Sequence, residues 1–198
     1  MRITIRRGAR VWLGATLLAA AALILPRAAS AQSVEDKAVL CTTCHGGNGI
    51  PGDRTFPVIA GQQLGYLYLQ LRDFKSGARM SEQMSPIAQG LERDDMLALA
   101  EYFSKQPWPN LRQPRAPADV AAHATQANTA IGCTGCHQAG YLGEGTQPRL
   151  AGQSKEYLKK TMLDFRNKKR GNNPGMTDLM LAISEDDIAA LADYLAGL

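Results

Sequence analysis

The chain has 198 residues, 45% of them hydrophobic and 20% charged, a composition typical of a globular protein with one or two domains. Its formal charge of +4 is unevenly distributed, because residues 1–31 hold five arginines and no acidic residue. Removing those five from the 22 basic residues leaves 17 against 18 acidic ones, a net charge of −1. No overall basic field remains, which argues against nucleic acid as a partner.

Residues 1–31 have the layout of a secretory signal peptide. An arginine-rich start runs to Trp12, an apolar run of thirteen residues spans Leu13 to Leu25, and small residues end at Ala31. That run is short of the ~20 residues needed to cross a bilayer. We predict cleavage after Ala31 and export to the periplasm, with a mature chain that is soluble or loosely membrane-associated through partners. An uncleaved membrane anchor is the alternative.

All four cysteines fall in two C-x-x-C-H motifs, one from Cys41 to His45 and the other from Cys133 to His137. This is the attachment pattern of c-type haem, in which two thiols bond to the porphyrin vinyl groups and the histidine ligates iron. We predict two covalently bound haem c groups, with His45 and His137 as axial ligands. The attachment residues would be the four cysteines, Cys41, Cys44, Cys133 and Cys136.

Three other uses of these cysteines have to be weighed. Two C-x-x-C pairs can form a Cys₄ zinc site, but the histidine after each pair would then have no role. Two disulfides are compatible with an oxidising compartment. A thioredoxin-type redox pair needs a βαβ pattern, which the sequence does not show.

The periodicity of the chain is helical throughout, which predicts an all-α fold. Apolar stripes with helical spacing run from Leu64 to Phe74 and from Met96 to Phe103, and they recur from Leu158 to Phe165 and from Ile188 to Leu195. Ser184, with an acidic residue three positions later, predicts a helix start. Met96 and Met162 fall on the apolar faces and are expected in the core.

The chain repeats itself at an offset of 91 or 92 residues. Beyond the cysteine motifs, Ala60-Gly61-Gln62 recurs as Ala151-Gly152-Gln153, and Arg79 recurs as Arg170. We predict a tandem duplication of one small domain, with the first domain at 32–106 and the second at 119–198. Residues 107–118 form a proline-rich connector, which is expected to be semi-rigid and extended.

A histidine-ligated iron either takes a sixth ligand or stays open for substrate. Each half offers two methionines, Met80 and Met84 in the first and Met176 and Met180 in the second. Met84 and Met176 each follow the histidine of their own motif by 39 residues, and no other pairing keeps a constant spacing. We therefore predict Met84 and Met176 as axial ligands, with core packing as the alternative for all four.

Other repeated residues are candidates for supporting roles. An axial histidine usually donates its second ring N–H to an acceptor, and the carbonyls of Pro57 and Pro148 stand at matching positions. The alternative for these prolines is simple loop rigidity. His123 has no counterpart and is expected to be a surface or packing residue. Four repeated residues are candidates either for haem propionates or for packing: Tyr66, Tyr157, Arg79 and Arg170.

Taken together, these residues resemble the dihaem cytochrome c4 group, which is built from two class I cytochrome c domains. The resemblance covers essentially everything after Gln32. It rests on both cysteine motifs, the Pro-x-x-Ala-Gly-Gln segments, the repeated Asp-Phe pairs, the loop beginning at Met84 and the C-terminal Leu-Ala-Asp-Tyr-Leu-Ala-Gly-Leu. After the predicted cleavage only nine residues, Gln32 to Leu40, would precede the first motif, so we expect a short first helix with weakened packing on the Met96–Phe103 helix.

The resemblance implies a periplasmic carrier of single electrons between a quinol-oxidising complex and a terminal oxidase or other reductase. Its redox partners would be a quinol–cytochrome c reductase, a terminal oxidase or a dehydrogenase. We predict that the protein is not an enzyme, because two six-coordinate irons leave no open position for substrate. A dihaem peroxidase, or an oxidoreductase of a small sulfur or nitrogen compound, is the second hypothesis and needs an open iron. A non-haem metal or disulfide module is the third.

A basic segment at Lys168-Lys169-Arg170 lies close to Met176 in the sequence. It would steer an acidic partner towards the second haem, or else it is a solvated helix end.

Overall fold

A computed structural model describes residues 32–198, and this part of the chain is helical and contains no strand. The predicted all-α class is confirmed. The predicted signal peptide lies outside the described residues. Within residues 32–198, none of the helices combines the length and the apolar character that crossing a membrane requires.

The helices repeat in the same order in the two halves of the sequence. The first half contains α1 (Val34–His45), α2 (Leu64–Ser76), α3 (Met84–Gln89) and α4 (Arg93–Ser104). The second half contains α5 (Ala118–Ile131), α6 (Thr134–His137), α7 (Lys155–Arg166), α8 (Pro174–Leu181) and α9 (Glu185–Ala196). The pair α5 and α6 therefore corresponds to α1, because Gly132 interrupts the second copy at a left-handed φ of 68°.

The apolar stripes predicted from the sequence form the cores. In the first half, Leu67 of α2 packs with Leu99 and Phe103 of α4, and Ala38 of α1 joins them. In the second half, α9 packs against both α5 and α7. The buried residues of that core include the predicted stripes Leu158, Met162, Phe165, Ile188, Leu191 and Leu195. Met96 is also buried, so both methionines assigned to the core lie there.

Side chains at the helix starts satisfy the free N–H groups of the first turns. The Ser184 hydroxyl accepts from the N–H of Asp187, and the Asp187 carboxylate accepts from the N–H of Ser184, so the predicted start of α9 is a capping box. His123 is partly exposed, as expected, and its Nε2 lies 2.7 Å from Asp187 Oδ1, which ties α5 to α9.

The expectation of weak packing for the first helix is wrong. α1 has 12 residues and packs against α4. Ala38 is 2% exposed at this contact, and Lys37 pairs with Asp95 near the start of α4. A small residue lets the two backbones approach closely, so a short helix suffices.

The proline-rich connector is attached to the second half by hydrogen bonds and stacking. The amide of Gln113 donates to the carbonyl of Gln153 at 2.8 Å and accepts from the N–H of Lys155 at 3.0 Å. The Trp108 ring stacks under the Arg149 guanidinium, 4.6 Å from the guanidinium carbon to the ring centroid. These contacts fix the path of the connector.

The two halves meet through a reciprocal pair of glutamines. Gln153 accepts from the Val58 N–H and donates to the Val58 carbonyl, both at 2.9 Å. Its counterpart Gln62 accepts from the Arg149 N–H at 2.7 Å and donates to the Arg149 carbonyl at 3.0 Å. Val58 and Arg149 are equivalent residues of the repeat, and each is bound by the glutamine of the opposite half. The halves are therefore related by a pseudo-two-fold axis, as in an isologous dimer interface.

Candidate cofactor sites

The reactive groups of the first motif lie on the last turns of α1. Cys41 and Cys44 are one helical turn apart and His45 follows at once, so the three side chains project to one side of the helix end. In the second half, Cys133 directly precedes α6, and the helix ends at His137. Both histidines are only 6% exposed, which is unusual for the residue type and indicates a specific interior role.

Each motif histidine makes the hydrogen bond predicted from the sequence. His45 Nδ1 lies 3.0 Å from the Pro57 carbonyl oxygen, and His137 Nδ1 lies 2.9 Å from that of Pro148. The carbonyl can only accept, so Nδ1 carries the proton and donates. Burial lowers the pKa of both histidines, and the hydrogen bonds to the carbonyls partly oppose this shift. Each ring is therefore a neutral imidazole whose Nε2 presents a lone pair for a metal.

The four candidate methionines differ in their surroundings. Met180 is 2% exposed and belongs to the core of the second half, whereas Met80 is 70% exposed. Met84 and Met176 are both half-buried and stand in the first turns of α3 and α8. The two methionines occupy equivalent positions of the repeat, and their side chains are neither buried in a core nor fully exposed to solvent.

The backbone around these two methionines is also equivalent. The Met84 N–H donates to the Ser81 hydroxyl at 3.1 Å, and the Met176 N–H donates to the Asn173 side-chain oxygen at 3.1 Å. In both halves the methionine N–H is thus bound by a side-chain oxygen three residues earlier in the chain.

No disulfide joins any of the four cysteines. Before a haem is attached, burial raises the pKa of the Cys41 and Cys133 thiols, which favours their protonated form. In residues 32–198, no three or more His, Cys, Asp or Glu side chains stand together in a way that would hold a metal ion. The Cys₄ zinc site weighed from the sequence thus has no ligand cluster in this part of the chain, and no disulfide occurs there.

Arginine–tyrosine contacts cross the pseudo-two-fold axis in both directions. Arg79 Nη2 donates to the Tyr157 hydroxyl at 3.2 Å, and Arg170 Nη2 donates to the Tyr66 hydroxyl at 3.3 Å. Arg170 is 6% exposed, so it does not belong to a surface patch with Lys168 and Lys169. Only those two lysines of the predicted basic segment are exposed.

Each of these guanidinium groups also stacks on a phenylalanine of its own half. The guanidinium carbon of Arg79 lies 4.6 Å from the Phe74 ring centroid, and that of Arg170 lies 4.4 Å from that of Phe165. The geometry of both arginines is therefore fixed from two sides.

Sequence reasoning missed several residues at this interface. The repeat identified Gln62 and Gln153 as equivalent, but nothing in it indicated that they cross between halves. Gln70 and Asn172 are not repeated in the other half of the chain. Gln70 nevertheless binds Arg79, and Asn172 binds Arg170. The signal that pointed to this region was the repetition of Arg79 as Arg170.

The chemistry of these groups fits a covalently attached haem in each half. Two thiols one turn apart match the two vinyl groups of a porphyrin, and an oriented neutral imidazole is the usual axial ligand. The helical fold and the paired sites define a c-type cytochrome with two haem groups.

Known proteins place the chain more narrowly. A cytochrome c family profile matches residues 121–198. The cytochrome c4 of Thiocapsa roseopersicina is 36% identical over 183 residues, which cover 87% of this chain and 95% of that relative. A thiosulfate dehydrogenase electron acceptor of Stutzerimonas stutzeri (strain A1501) is 35% identical over 170 residues, covering 80% of this chain and 79% of that relative.

A solved structure of similar fold supports the same placement. The reduced recombinant cytochrome c4 from Pseudomonas stutzeri superposes with a TM-score of 0.74 at 30% identity, covering 83% of this chain and 96% of that structure. The chain belongs to the cytochrome c4 family of dihaem electron carriers, and its cofactors are covalently bound haem c groups.

Proposed function

We propose that the protein is a periplasmic electron carrier whose two irons are both six-coordinate, with His45 and Met84 in the first half and His137 and Met176 in the second. The porphyrins would be attached through the four motif cysteines. The observation that carries the proposal is the equivalence of the two sites. In each, an oriented imidazole is matched by a half-buried methionine whose N–H is bound by a side-chain oxygen three residues earlier. The domains would be residues 32–106 and 119–198, joined by the connector at 107–118.

The haem groups supply the one-electron chemistry when bound, and the chain supplies position and surroundings. The Pro57 and Pro148 carbonyls hold each imidazole in one tautomer and one orientation. The methionines would take the iron position at which a substrate could otherwise bind, which would leave electron transfer as the available reaction. A methionine ligand also raises the reduction potential.

The interface supports passage of electrons between the two haems. The reciprocal contacts of Gln62 and Gln153 fix one half against the other, so the distance between the two sites is held constant. One haem would accept an electron and the other would deliver it.

The external partners belong to the same proposal. A quinol-oxidising complex and a terminal oxidase are one pair, and a dehydrogenase is another donor, as the name of the Stutzerimonas relative suggests. Lys168 and Lys169 are exposed beside α8 and would attract an acidic partner to the second site. Reversing both charges should slow electron transfer to an acidic partner at low salt and have little effect at high salt. An unchanged rate at low salt would remove this docking site.

The test of the function is an anaerobic redox titration of the haem-loaded protein, followed by visible and near-infrared spectra. We expect two one-electron steps at positive potential, each with the spectrum of a low-spin haem and a sulfur–iron charge-transfer band. The reduced protein should not bind carbon monoxide stoichiometrically. A strongly negative step, a high-spin haem or stoichiometric carbon monoxide binding would instead favour an enzyme with an open iron.

A further inference from the structure

Each motif histidine donates to a peptide group that the opposite half of the protein also holds. The Pro57 carbonyl, whose oxygen lies 3.0 Å from His45 Nδ1, belongs to the same peptide unit as the Val58 N–H. That N–H donates to Gln153 Oε1 at 2.9 Å, across the pseudo-two-fold axis. The first imidazole is thus joined to a glutamine of the second half through a single planar peptide.

The second half repeats this chain of hydrogen bonds with the roles of the halves exchanged. His137 Nδ1 lies 2.9 Å from the Pro148 carbonyl oxygen. The N–H of the same peptide unit, that of Arg149, donates to Gln62 Oε1 at 2.7 Å. Both chains therefore have the same members in the same order: imidazole, proline carbonyl, N–H of the following residue, and glutamine of the opposite half.

The orientation of each glutamine amide is fixed by its other contacts. Gln153 Oε1 also accepts from the N–H of Ser154 at 2.8 Å, and its Nε2 donates to the Val58 carbonyl at 2.9 Å. Gln62 Oε1 likewise accepts from the N–H of Gln63 at 2.9 Å. Because an amide oxygen can only accept and an amide nitrogen can only donate, these partners allow one assignment. In both halves the oxygen faces the peptide that binds the histidine.

The burial of these groups strengthens their mutual polarisation. Both glutamines are 3% exposed, and Val58 is 1% exposed. In a low-dielectric interior, each hydrogen bond in a chain polarises the next one. An acceptor on the N–H of a peptide increases the negative charge on the carbonyl oxygen of that peptide. The glutamine oxygen therefore makes the proline carbonyl a better acceptor for the imidazole N–H.

The strength of this acceptor bears on the iron. A better acceptor at Nδ1 raises the basicity of the imidazole, so its Nε2 donates more electron density to a bound metal. Greater donation favours oxidised iron and lowers the reduction potential. Resting on the proposed function, we propose that the two glutamines are positioning residues that act across the interface. Gln153 sets the donor strength of His45 and lowers the potential of the first haem, and Gln62 does the same for His137 and the second haem.

The crossed arrangement has a consequence that contacts within one half would lack. A substitution of either glutamine should change the potential of the haem in the opposite half and leave the haem of its own half unchanged. A loss of packing at the interface would not have this selectivity, because the interface is shared by both halves. The selectivity therefore separates tuning of a histidine from general support of the fold.

The experiment is a spectroelectrochemical titration of haem-loaded variants, combined with NMR of the protein labelled with ¹⁵N in its three histidines. Following the resonances of His45 and His137 through the titration assigns each potential to its half. Gln153→Leu removes the acceptor of the Val58 N–H and should raise the potential of the first haem. In the reduced protein it should also move the Nδ1–H resonance of His45 to higher field, as a weaker hydrogen bond does. Gln62→Leu should have the same effects on the second haem and on His137.

Two further variants distinguish this role from a structural one. Gln63→Leu removes a neighbouring glutamine whose Nε2 also crosses to the second half, where it donates to the carbonyls of Leu142 and Gly143 at 3.1 and 3.2 Å. This control should lower the melting temperature without moving either potential. Gln153→Glu keeps an oxygen facing the Val58 N–H, so the potential of the first haem should not rise.

A rise confined to the haem opposite each substituted glutamine supports the proposal. Equal shifts of both potentials, a shift of the haem in the glutamine's own half, or no shift overturns it. The same effect in Gln63→Leu also overturns it. If Gln153→Leu does not load haem, Gln62→Leu and Gln153→Glu carry the comparison.

The histidine resonances keep this test separate from that of the proposed function. They report on the hydrogen bond itself, so they apply even to an open iron, once carbon monoxide has made the reduced haem low-spin. The sulfur–iron band of the parent protein tests methionine ligation and does not depend on the glutamines. Failure of either proposal would therefore be recognised without the other.

Discussion

Gly49 and Tyr141 occupy equivalent positions after the two cysteine motifs, although one has no side chain and the other has a large one. Both have a left-handed backbone, with φ of 85° and 58°. The carbonyl of Gly49 accepts from the N–H groups of Ile59 and Ala60, at the start of the Ala-Gly-Gln segment. The carbonyl of Tyr141 accepts from those of the equivalent Leu150 and Ala151. A bulky residue at positive φ is strained, so its ring must compensate by packing.

The compensation is an exchange of aromatic rings. A Cβ on Gly49 would lie 3.0 Å from the Phe103 ring, which therefore fills the space that a side chain at position 49 would take. In the second half Leu195 stands at the position of that phenylalanine, and Tyr141 contributes the aromatic ring to the same core. Tyr102 packs edge-on to Phe103, with ring centroids 5.1 Å apart, and Tyr141 and Tyr194 repeat this arrangement at 6.2 Å.

The exchange predicts how substitutions will combine. Tyr141→Gly should destabilise the haem-loaded protein by about 2–3 kcal/mol, because losing the packing of the ring destabilises it more than relieving the backbone strain stabilises it. Adding Leu195→Phe should recover part of that loss. Gly49→Ala should be destabilising, since its Cβ would lie 2.8 Å from the Ala60 nitrogen. Chemical denaturation measures all three, and a Leu195→Phe change that worsens the Tyr141→Gly variant would contradict the exchange.

Replacing the two proposed methionine ligands should affect one haem at a time. We expect Met84→Ala and Met176→Ala each to remove about half of the sulfur–iron absorption and to lower the potential of one haem, since the thioether favours reduced iron. The matched controls are Met80→Ala, which changes an exposed side chain, and Met180→Leu, which conserves volume in the core. If either control loses the band while its partner variant keeps it, the ligand assignment is wrong.

The interface glutamines should be sensitive to truncation. Gln153→Ala leaves the N–H and carbonyl of Val58 without their partners, which should cost about 2–4 kcal/mol at this buried site. Gln62→Ala should cost a similar amount by the pseudo-symmetry. Gln126→Ala, on the exposed face of α5, is the control and should be near neutral. Equal melting temperatures for Gln153→Ala and Gln126→Ala would show that the interface does not depend on these bonds.

The start of α9 should govern part of the acid sensitivity. Hydrogen bonds from the Ser184 hydroxyl and backbone N–H lower the pKa of Asp187 below its usual value, and the contact with His123 adds to the shift. A depressed folded-state pKa contributes stability that is present above the unfolded value of about 3.9 and is lost as pH falls through the folded value.

Asp187→Asn should therefore lower stability at neutral pH by about 1 kcal/mol and flatten the decline below about pH 4. Asp186→Asn removes the same charge from the same turn without removing the capping box. Thermal melts between pH 3 and pH 7 measure both variants. If the stability of Asp187→Asn falls as steeply at low pH as that of the parent protein, other carboxylates control the acid sensitivity.

The local chemistry of this protein could be read from its sequence. The spacing within each cysteine motif is set by covalent haem attachment, and helical stripes are set by the 3.6-residue period, so both are visible in short windows. The constant interval from histidine to methionine selected Met84 and Met176, and the matching prolines predicted the hydrogen bonds of His45 and His137, which the structure confirms.

Only the tertiary structure decided what lies between the halves. Val58 and Gln153 are 95 positions apart, and no periodicity links a glutamine amide to a distant backbone group. The same limit explains why Arg170, next to two exposed lysines in the sequence, is buried at the interface. It also explains why the packing of α1 was predicted wrongly, because that packing depends on how closely Ala38 lets α1 approach α4. Contacts of this kind arise from shape and from the meeting of remote segments, which composition and spacing do not encode.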